Sequence, residues 1–216
     1  MANKSKLVVV GIVGGVASGK TFVADRLAAL GAAVVDADRL GHEVLREPAV
    51  RAAVLKRWGT ALAAPDGQID RRKLAAIVFG NSAKAREELA ALEALIHPKM
   101  KKLVLEELER LAADGITKVA VLDAPVLLKS GWRGICDRII YIEAPVDVRL
   151  ARATARGWQK EDFERREAAQ ESLQAKRQAA DLAIDNSGSA EATIAQIEQL
   201  WPMLASGSSA GEMNAQ

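Results

Sequence analysis

The glycine-rich segment at residues 14–21 constrains the fold of this chain more than any other part of its sequence. It reads G-G-V-A-S-G-K-T and matches the pattern G-x-x-x-x-G-K-[S/T] at every fixed position. A mostly β-branched run at residues 7–13 precedes it, which is typical of a strand buried on both faces. Apolar residues at helical spacing follow over residues 20–30. The segment therefore joins a buried strand to a helix.

The residue types in this segment favour phosphate binding. Glycines let the backbone fold so that successive N–H groups face phosphate oxygens, and the start of the helix adds its positive end. Lys20 can reach the terminal phosphates, and the Thr21 hydroxyl can ligate Mg²⁺. A coincidental turn between strand and helix is the alternative interpretation. We expect a site for a nucleoside triphosphate with Mg²⁺.

Further apolar runs predict an α/β architecture. Short runs at residues 32–35, 118–122, 138–143 and 182–184 are typical of strands, whereas helical periodicity dominates residues 40–113. The predicted fold has three layers around a parallel five-stranded sheet, with a helical insertion and a helical lid. Its predicted parts are a nucleotide-binding core (1–39, 114–148 and 179–205), the insertion (40–113), the lid (149–178) and a disordered tail (206–216).

Helix boundaries follow from the same periodicity. Helices are predicted over about 146–156, 160–178 and 190–204. Within the insertion, glycine and proline residues such as Gly80 and Pro98 are expected to separate helices.

Composition excludes several classes of protein. Half of the residues are hydrophobic and 27% are charged, as in soluble globular domains. Thirty basic residues against 28 acidic ones leave a net charge of +2, which gives no strong field toward nucleic acid or an anionic membrane. The single cysteine, Cys136, cannot form an internal disulfide. We expect a cytoplasmic protein that binds neither nucleic acid nor membrane, and no obligate protein partner is evident.

Two aspartates follow the second predicted strand. The helix over residues 20–30 carries the chain about 16 Å from the loop, and the next strand returns it about the same distance. Asp36 and Asp38 are therefore predicted beside the loop, at the carboxyl edge of the sheet. Asp38 can accept a proton from a substrate hydroxyl, while Asp36 would orient neighbours or assist the Mg²⁺ shell. Helix capping is the alternative role.

Other charged residues are candidates for weaker roles. Arg149, Arg152 and Arg156 share one face of a predicted helix. Arg152 and Arg156 are predicted to belong to a lid that stabilises charge in the transition state, the alternative being a solvated helix face. Asp123 ends an apolar strand and either holds Mg²⁺ through water or simply terminates the strand. His42 is expected to be structural or exposed.

These motifs resemble the dephospho-CoA kinase family over about residues 7–200. The phosphate loop alone marks only nucleotide binding, whereas D-A-D at its offset, L-I-H-P and the late D-N-S-G are far more specific. The segments that carry the resemblance are G-G-V-A-S-G-K-T (14–21), D-A-D (36–38), I-D-R-R-K-L…V-F (69–79), L-I-H-P (95–98), D-A-P-V-L-L (123–128), R-x-x-x-R (152–156), R-x-x-x-Q (166–170) and A-D-x-x-I-D-N-S-G (180–188).

The resemblance implies a P-loop kinase fold and ATP-dependent phosphorylation of the ribose 3′-hydroxyl of dephospho-CoA. It also implies that Asp38 is the catalytic base, which accepts the proton of this hydroxyl. The phosphoryl group would be transferred directly and in line. Arg71, His97 and Pro125 would contribute to the acceptor pocket, although a lone histidine like His97 is more often a hydrogen-bonding group at a helix end. The residues that would bind ATP are Gly14, Gly15, Val16, Ala17, Ser18, Gly19, Lys20, Thr21, Phe22, Asn186 and Gly188.

Two positions depart from the family pattern, and three alternative functions remain open. Lys129 stands where the family usually has a glutamate, and Phe22 stands where it often has a threonine. Another small-molecule or nucleoside-monophosphate kinase is the nearest alternative function. A nucleotide-dependent switch is a second, although the chain lacks the base-specifying N-K-x-D motif of switch GTPases. A catalytically inactive relative is a third, motivated by Lys129.

Overall fold

Five parallel strands form one sheet in the order β2-β3-β1-β4-β5. The computed structural model describes residues 6–80, 82–124 and 127–207. The predicted α/β class with a parallel five-stranded sheet is confirmed. The strands are β1 (Val8–Gly14), β2 (Ala33–Asp36), β3 (Val119–Asp123), β4 (Arg138–Glu143) and β5 (Leu182–Asp185).

The position of β1 explains its sequence. All seven of its residues are buried, because β3 and β4 pair with it on either side and helices lie on both sides of the sheet. A strand enclosed in this way needs apolar side chains on both faces, which accounts for the continuous run. The loop that follows β1 therefore leaves the sheet at the middle of its carboxyl edge.

Nine α-helices occur within the described residues. Helices α1 and α9 pack together on the sheet, where Val23, Leu27 and Ile197 join the buried strand residues Val10 and Ile140 in one core. The helices are α1 (Lys20–Ala29), α2 (Ala37–Arg46), α3 (Pro48–Trp58), α4 (Arg71–Val78), α5 (Ala83–Asp114), α6 (Val146–Ala155), α7 (Lys160–Ala168), α8 (Leu173–Ala179) and α9 (Ala190–Ser206).

The chain divides into two compact units. One comprises the described parts of Met1–Asp36 and Glu107–Gln216 and holds the sheet. The other, Ala37–Glu106, holds α2, α3, α4 and most of α5, and is called the helical unit below. The predicted boundaries of core, insertion and lid remain predictions. No helix within the described ranges is long and apolar enough to span a membrane.

The single helix predicted over residues 160–178 is wrong. Two helices, α7 and α8, occupy this stretch and are separated by residues 169–172. The Ser172 hydroxyl accepts a hydrogen bond from the Ala175 N–H and so caps the start of α8. A serine cap inside a polar run was indistinguishable from an ordinary helical residue in the sequence.

Two other boundaries also differ from the prediction. Pro98 lies inside α5 rather than between helices. A proline forfeits one backbone hydrogen bond, and the buried side chains of Leu92, Met100 and Val104 on either side hold the helix together. At the C terminus, Ser206 is the last residue of α9 rather than the start of a tail. Residues 208–216 lie outside the described residues, so their disorder remains a prediction.

Candidate active site

The loop at residues 15–19, called the phosphate loop below, follows a tight backbone path from β1 to α1. Ala17 and Gly19 have positive φ angles of 57° and 96°. A Cβ atom on Gly14 would lie 2.6 Å from Ser18 Oγ and 2.8 Å from the Ile142 carbonyl oxygen. Both distances are too short for real contacts, so packing requires glycine at the point where the chain leaves the sheet.

The N-terminus of α1 presents hydrogen-bond donors that suit an anion. Gly19 caps this helix without a side chain, and its first turn has no acidic residue. The Ser18 Oγ atom is buried without a hydrogen-bond partner. Lys20 Nζ donates to the Gly15 carbonyl at 3.2 Å, and Thr21 is exposed in the first turn. Uncapped amides, an unsatisfied hydroxyl and an ammonium group together match phosphate oxygens.

A buried arginine, Arg149, holds the phosphate loop at Val16. Arg149 is 2% exposed and donates to the carbonyl oxygens of Val16, at 3.2 Å, and Ala144, at 3.1 Å. Its guanidinium also pairs with Glu167 at 2.8 Å, and the same Glu167 oxygen accepts from the Val16 N–H at 2.9 Å. Both backbone groups of Val16 are therefore fixed from α6 and α7.

Asn186 and Arg152 hold the same loop at Ser18. Asn186 Nδ2 donates to the Ser18 carbonyl at 2.7 Å, and its Oδ1 accepts from the buried Thr193 hydroxyl at 3.0 Å. Arg152 donates to the Asn186 carbonyl at 2.8 Å and reaches the Ser18 carbonyl at 3.5 Å. Two residues predicted as site residues are thus brought to the phosphate loop.

Lys176 reaches the loop from α8. Its side chain is 3% exposed, and its Nζ donates to the Gly14 carbonyl at 3.1 Å and to Gln170 Oε1 at 2.6 Å. Burial, with the charge of Lys20 as the next cause, lowers the pKa of Lys176 to about 8. Lys20, Lys176 and Glu171 line one small cavity beside Gly14, where Glu171 Oε1 is buried without a hydrogen-bond partner.

Three other predicted site residues take no part in these contacts. Arg156 is exposed at the C-terminal end of α6, and its side chain has no hydrogen bond or ion pair with the described residues. Gly188 is exposed after β5. Phe22 packs its ring against the core, with the Arg26 guanidinium 5.3 Å from the ring centroid. The ATP-binding and lid roles of these three remain predictions.

Three aspartates stand at or just beyond strand ends. Asp36, the last residue of β2, pairs in register with Asp123, the last residue of β3. Asp38 is exposed and lies in the first turn of α2, two residues after Asp36. The predicted placement of Asp36 at the carboxyl edge is therefore confirmed. The catalytic role of Asp38 and the Mg²⁺ roles of Asp36 and Asp123 remain predictions.

A second, more open cavity lies entirely within the helical unit. It has a volume of about 210 Å³, and its lining includes His42, Arg46 and Arg71. These three side chains form no hydrogen bond or ion pair with other described residues, and all three residues are exposed. The lining also includes Asp66 and Gln68, and Gln68 Oε1 is buried without a hydrogen-bond partner. The cavity therefore offers two guanidinium groups, one carboxylate and one unsatisfied acceptor.

The remaining acceptor-site predictions have mixed outcomes. His97 lies in α5 rather than at a helix end, is half-buried and does not line the cavity of the helical unit. Pro125 lies outside the described residues. Lys129 is exposed. Their contributions to acceptor binding remain predictions.

Residues that support the loop were missed because their sequence context resembles a solvated surface. Glu167, Gln170 and Lys176 belong to a strongly charged stretch whose local pattern gave no sign of burial. Arg149 was predicted to share one helix face with Arg152 and Arg156. The pattern could not show that Arg149 is buried while Arg156 is exposed. Two signals were available: the glycines at 14 and 15, which indicate that other groups pack closely against the loop, and the R-x-x-x-Q segment (166–170), which ends at Gln170.

Similarity to known proteins covers most of the chain. A family model described as dephospho-CoA kinase matches residues 8–192. The dephospho-CoA kinase of Carboxydothermus hydrogenoformans is 39% identical over 194 residues, which are 88% of this chain and 91% of that protein. The crystal structure of TT1252 from Thermus thermophilus has a TM-score of 0.75 at 32% identity, covering 92% of this chain and 98% of that one. The dephospho-CoA kinase from Campylobacter jejuni shares the fold, with a TM-score of 0.69 at 24% identity and the same two coverages.

Proposed function

The chain belongs to the dephospho-CoA kinase family, and from that premise we propose how its own residues divide the work of the reaction. The family consists of kinases that use ATP to phosphorylate dephospho-CoA to CoA. We propose direct in-line transfer of the γ-phosphoryl group to the ribose 3′-hydroxyl, with Asp38 as general base. No covalent enzyme intermediate is required, because donor and acceptor react in one step.

The open start of α1 is the observation that carries the ATP site. Its first amides lack a side-chain cap, and the Ser18 hydroxyl is buried without a partner. A bound triphosphate would satisfy these donors, and the helix dipole would favour its negative charge. Lys20 would turn from the Gly15 carbonyl to the phosphates and offset charge as the bond to the leaving group breaks.

Thr21 is the proposed protein ligand for Mg²⁺. Its residue is exposed at the start of α1, and its hydroxyl is a hard oxygen donor of the kind that Mg²⁺ prefers. Among the described residues, no group of three or more His, Cys, Asp or Glu side chains could hold a metal ion. This agrees with a Mg²⁺ held by one or two protein oxygens plus phosphates and water. When bound, the ion would neutralise charge on the β- and γ-phosphates.

Asp38 is assigned the acceptor proton. The carboxyl edge of the sheet carries both the start of the phosphate loop, after β1, and Asp36, the last residue of β2. Asp38 follows two residues later and is exposed, so its carboxylate is accessible to a substrate hydroxyl. Arg152, whose guanidinium is 2.8 Å from the Asn186 carbonyl beside the loop, would stabilise the charge of the transferring group. Arg156, one turn further along α6, would assist it.

The cavity of the helical unit is the proposed site for the anionic part of the acceptor. Dephospho-CoA carries a diphosphate, and the guanidinium groups of Arg46 and Arg71 could pair with it, since they form no competing ion pair among the described residues. His42 lines the same cavity. Gln68 Oε1 lacks a donor, which the hydroxyl, amino or amide groups of the acceptor could supply. This assignment extends the predicted role of Arg71 to its two neighbours.

A coupled ADP-release assay with three acceptors tests this function. Dephospho-CoA should support turnover well above the rate without acceptor, whereas adenosine and a nucleoside monophosphate should not. Turnover with the monophosphate but not with dephospho-CoA would favour a nucleoside-monophosphate kinase instead. Slow ATP hydrolysis that no acceptor accelerates would favour a nucleotide-dependent switch.

A further inference from the structure

We propose that Lys176 is a positioning residue of the phosphate loop, which fixes the loop for ATP by holding the carbonyl group of Gly14. The inference rests on the proposed binding of ATP phosphates at this loop and adds a second lysine with a different task. Lys20 is the cation that moves to the phosphates, whereas Lys176 stays behind the loop and sets its shape.

The two lysines bind successive carbonyl groups of the same turn. Lys176 Nζ donates to the Gly14 carbonyl at 3.1 Å, and Lys20 Nζ donates to the Gly15 carbonyl at 3.2 Å. Lys20 is half-buried at the start of α1, while Lys176 is 3% exposed and arrives from α8. Lys20 is the less buried of the two, so it can leave its carbonyl for a ligand. The buried member is held in place by a second bond of 2.6 Å to Gln170 Oε1.

Holding the Gly14 carbonyl also orients the next amide. The peptide unit between Gly14 and Gly15 is planar and trans, so its carbonyl and its N–H point in opposite directions. Fixing the carbonyl toward α8 therefore fixes the Gly15 N–H away from it. Gly14 is the residue where β1 ends, and its contacts with Ser18 and Ile142 leave no room for a side chain that could do the same.

Burying an ammonium group here costs hydration free energy, which its bonds to Gly14 and Gln170 must offset. A lysine with 3% exposure loses most of its hydration, and lysines are rarely buried so completely. Charged groups of four other parts of the chain interact with it: Lys20 of α1, Arg149 of α6, Glu167 of α7, and Glu171 in the segment before α8. Burial and Lys20 lower the pKa of Lys176 to about 8, so the group is charged at neutral pH and loses its proton just above it.

Arg177 provides a matched control for the loss of one positive charge. It is the next residue of α8, is exposed, and lies with its guanidinium 5.7 Å from the centroid of the Tyr141 ring. It has no bond to the phosphate loop in the described structure. The variants K176M and R177M therefore change net charge equally, and only K176M removes the bond to Gly14.

The test measures the dissociation constant of ATP by calorimetry at pH 7 and pH 9, with thermal unfolding of each variant. K176M should weaken ATP binding at pH 7 about tenfold or more, with the KM for dephospho-CoA within about twofold of wild type, and R177M should leave both near wild type. The ATP affinity of wild type should fall up to about tenfold from pH 7 to pH 9, because the charged fraction of a group with a pKa of about 8 falls by that factor. K176R, which stays charged, should lose this pH dependence.

Several results would overturn the inference. Wild-type ATP affinity in K176M, or an equal loss in R177M, would reduce Lys176 to a packing residue or a remote charge. Identical pH dependence in wild type and K176R would do the same, and that comparison decides the matter even where K176M fails to fold. The ATP site itself is tested separately by K20M: unchanged ATP binding in K20M would overturn the proposed function and not merely the role of Lys176.

Discussion

The phosphate loop and the cavity of the helical unit hold their positive charges in opposite ways. Around the loop, Arg149 and Lys176 are buried and each makes several bonds to carbonyl or carboxylate oxygens. In the helical unit, Arg46 and Arg71 line the cavity exposed, without a bonded partner among the described residues. In the proposed function, the loop is therefore held in shape by bonds within the protein, whereas the guanidinium groups of the cavity are left for the acceptor.

This contrast separates stability from affinity. Removing a buried charge at the loop should destabilise the fold, because its partners lose their bonds in a dry environment. Removing an exposed cation from the cavity should leave the fold nearly unchanged and weaken only the binding of the acceptor.

The largest effect is expected for R149M. It removes both carbonyl bonds of Arg149 and leaves Glu167 without its ion-pair partner, so the free energy of unfolding should fall by about 3 kcal/mol. Chemical denaturation measures this. The control R165M removes an exposed arginine from the neighbouring helix α7 and should cost less than about 0.5 kcal/mol. Equal losses in the two variants would erase the contrast on the loop side.

A smaller loss is expected for T193V. The substitution keeps the shape of a fully buried side chain but removes the hydroxyl that donates to Asn186 Oδ1 at 3.0 Å. An unsatisfied buried acceptor costs about 1–3 kcal/mol. T193S keeps the hydroxyl and should recover most of the loss in a denaturation experiment. Failure of T193S to do so would mean that packing, rather than the bond to Asn186, sets the effect.

On the acceptor side, R71A should raise the KM for dephospho-CoA about tenfold, which corresponds to about 1.4 kcal/mol. The KM for ATP and the unfolding free energy should stay near wild type, because Arg71 is exposed and has no bonded partner among the described residues. R72A removes the adjacent exposed arginine, which does not line the cavity, and should have no effect on either constant. A rise in the KM for ATP with R71A would argue against separate tasks for the two regions.

The smallest effect concerns a partly exposed cluster in the helical unit, formed by Arg57, Trp58 and Glu88. Glu88 accepts hydrogen bonds from Arg57 at 2.9 Å and Trp58 at 2.8 Å, and the bond from Arg57 lowers its pKa below 4.5. The stability it contributes is therefore present above pH 4.5 and lost as pH falls through its lowered pKa. E88Q should abolish that part of the acid dependence in unfolding experiments at pH 7 and pH 3. Superimposable acid profiles for wild type and E88Q would show that the pair contributes nothing.

Local patterns were sufficient for the framework of the molecule. Every predicted strand is present within one residue of its predicted boundaries, because the strands of this sheet are short apolar runs between turns. The phosphate loop could also be located from a local pattern, because its glycines, Lys20 and Thr21 lie within eight consecutive residues.

The supports of the loop could not be found in this way. Lys176 is more than 150 residues from Gly14 in sequence, and its neighbours are polar, so nothing local marks it as buried. The cavity of the helical unit is lined by His42 and Arg46 of α2 together with Arg71 of α4, which lie far apart in the sequence. Only Arg71 of these three was predicted, and that prediction came from the family resemblance rather than from residue chemistry.

The most direct test of the account is the turnover number of D38N with ATP and dephospho-CoA, measured beside its ATP affinity. Loss of a general base should lower kcat by about 10²–10⁴-fold. ATP binding at the phosphate loop, which belongs to the other compact unit, should stay within about twofold of wild type. Wild-type turnover in D38N would contradict the account, because the acceptor proton would then leave by another route.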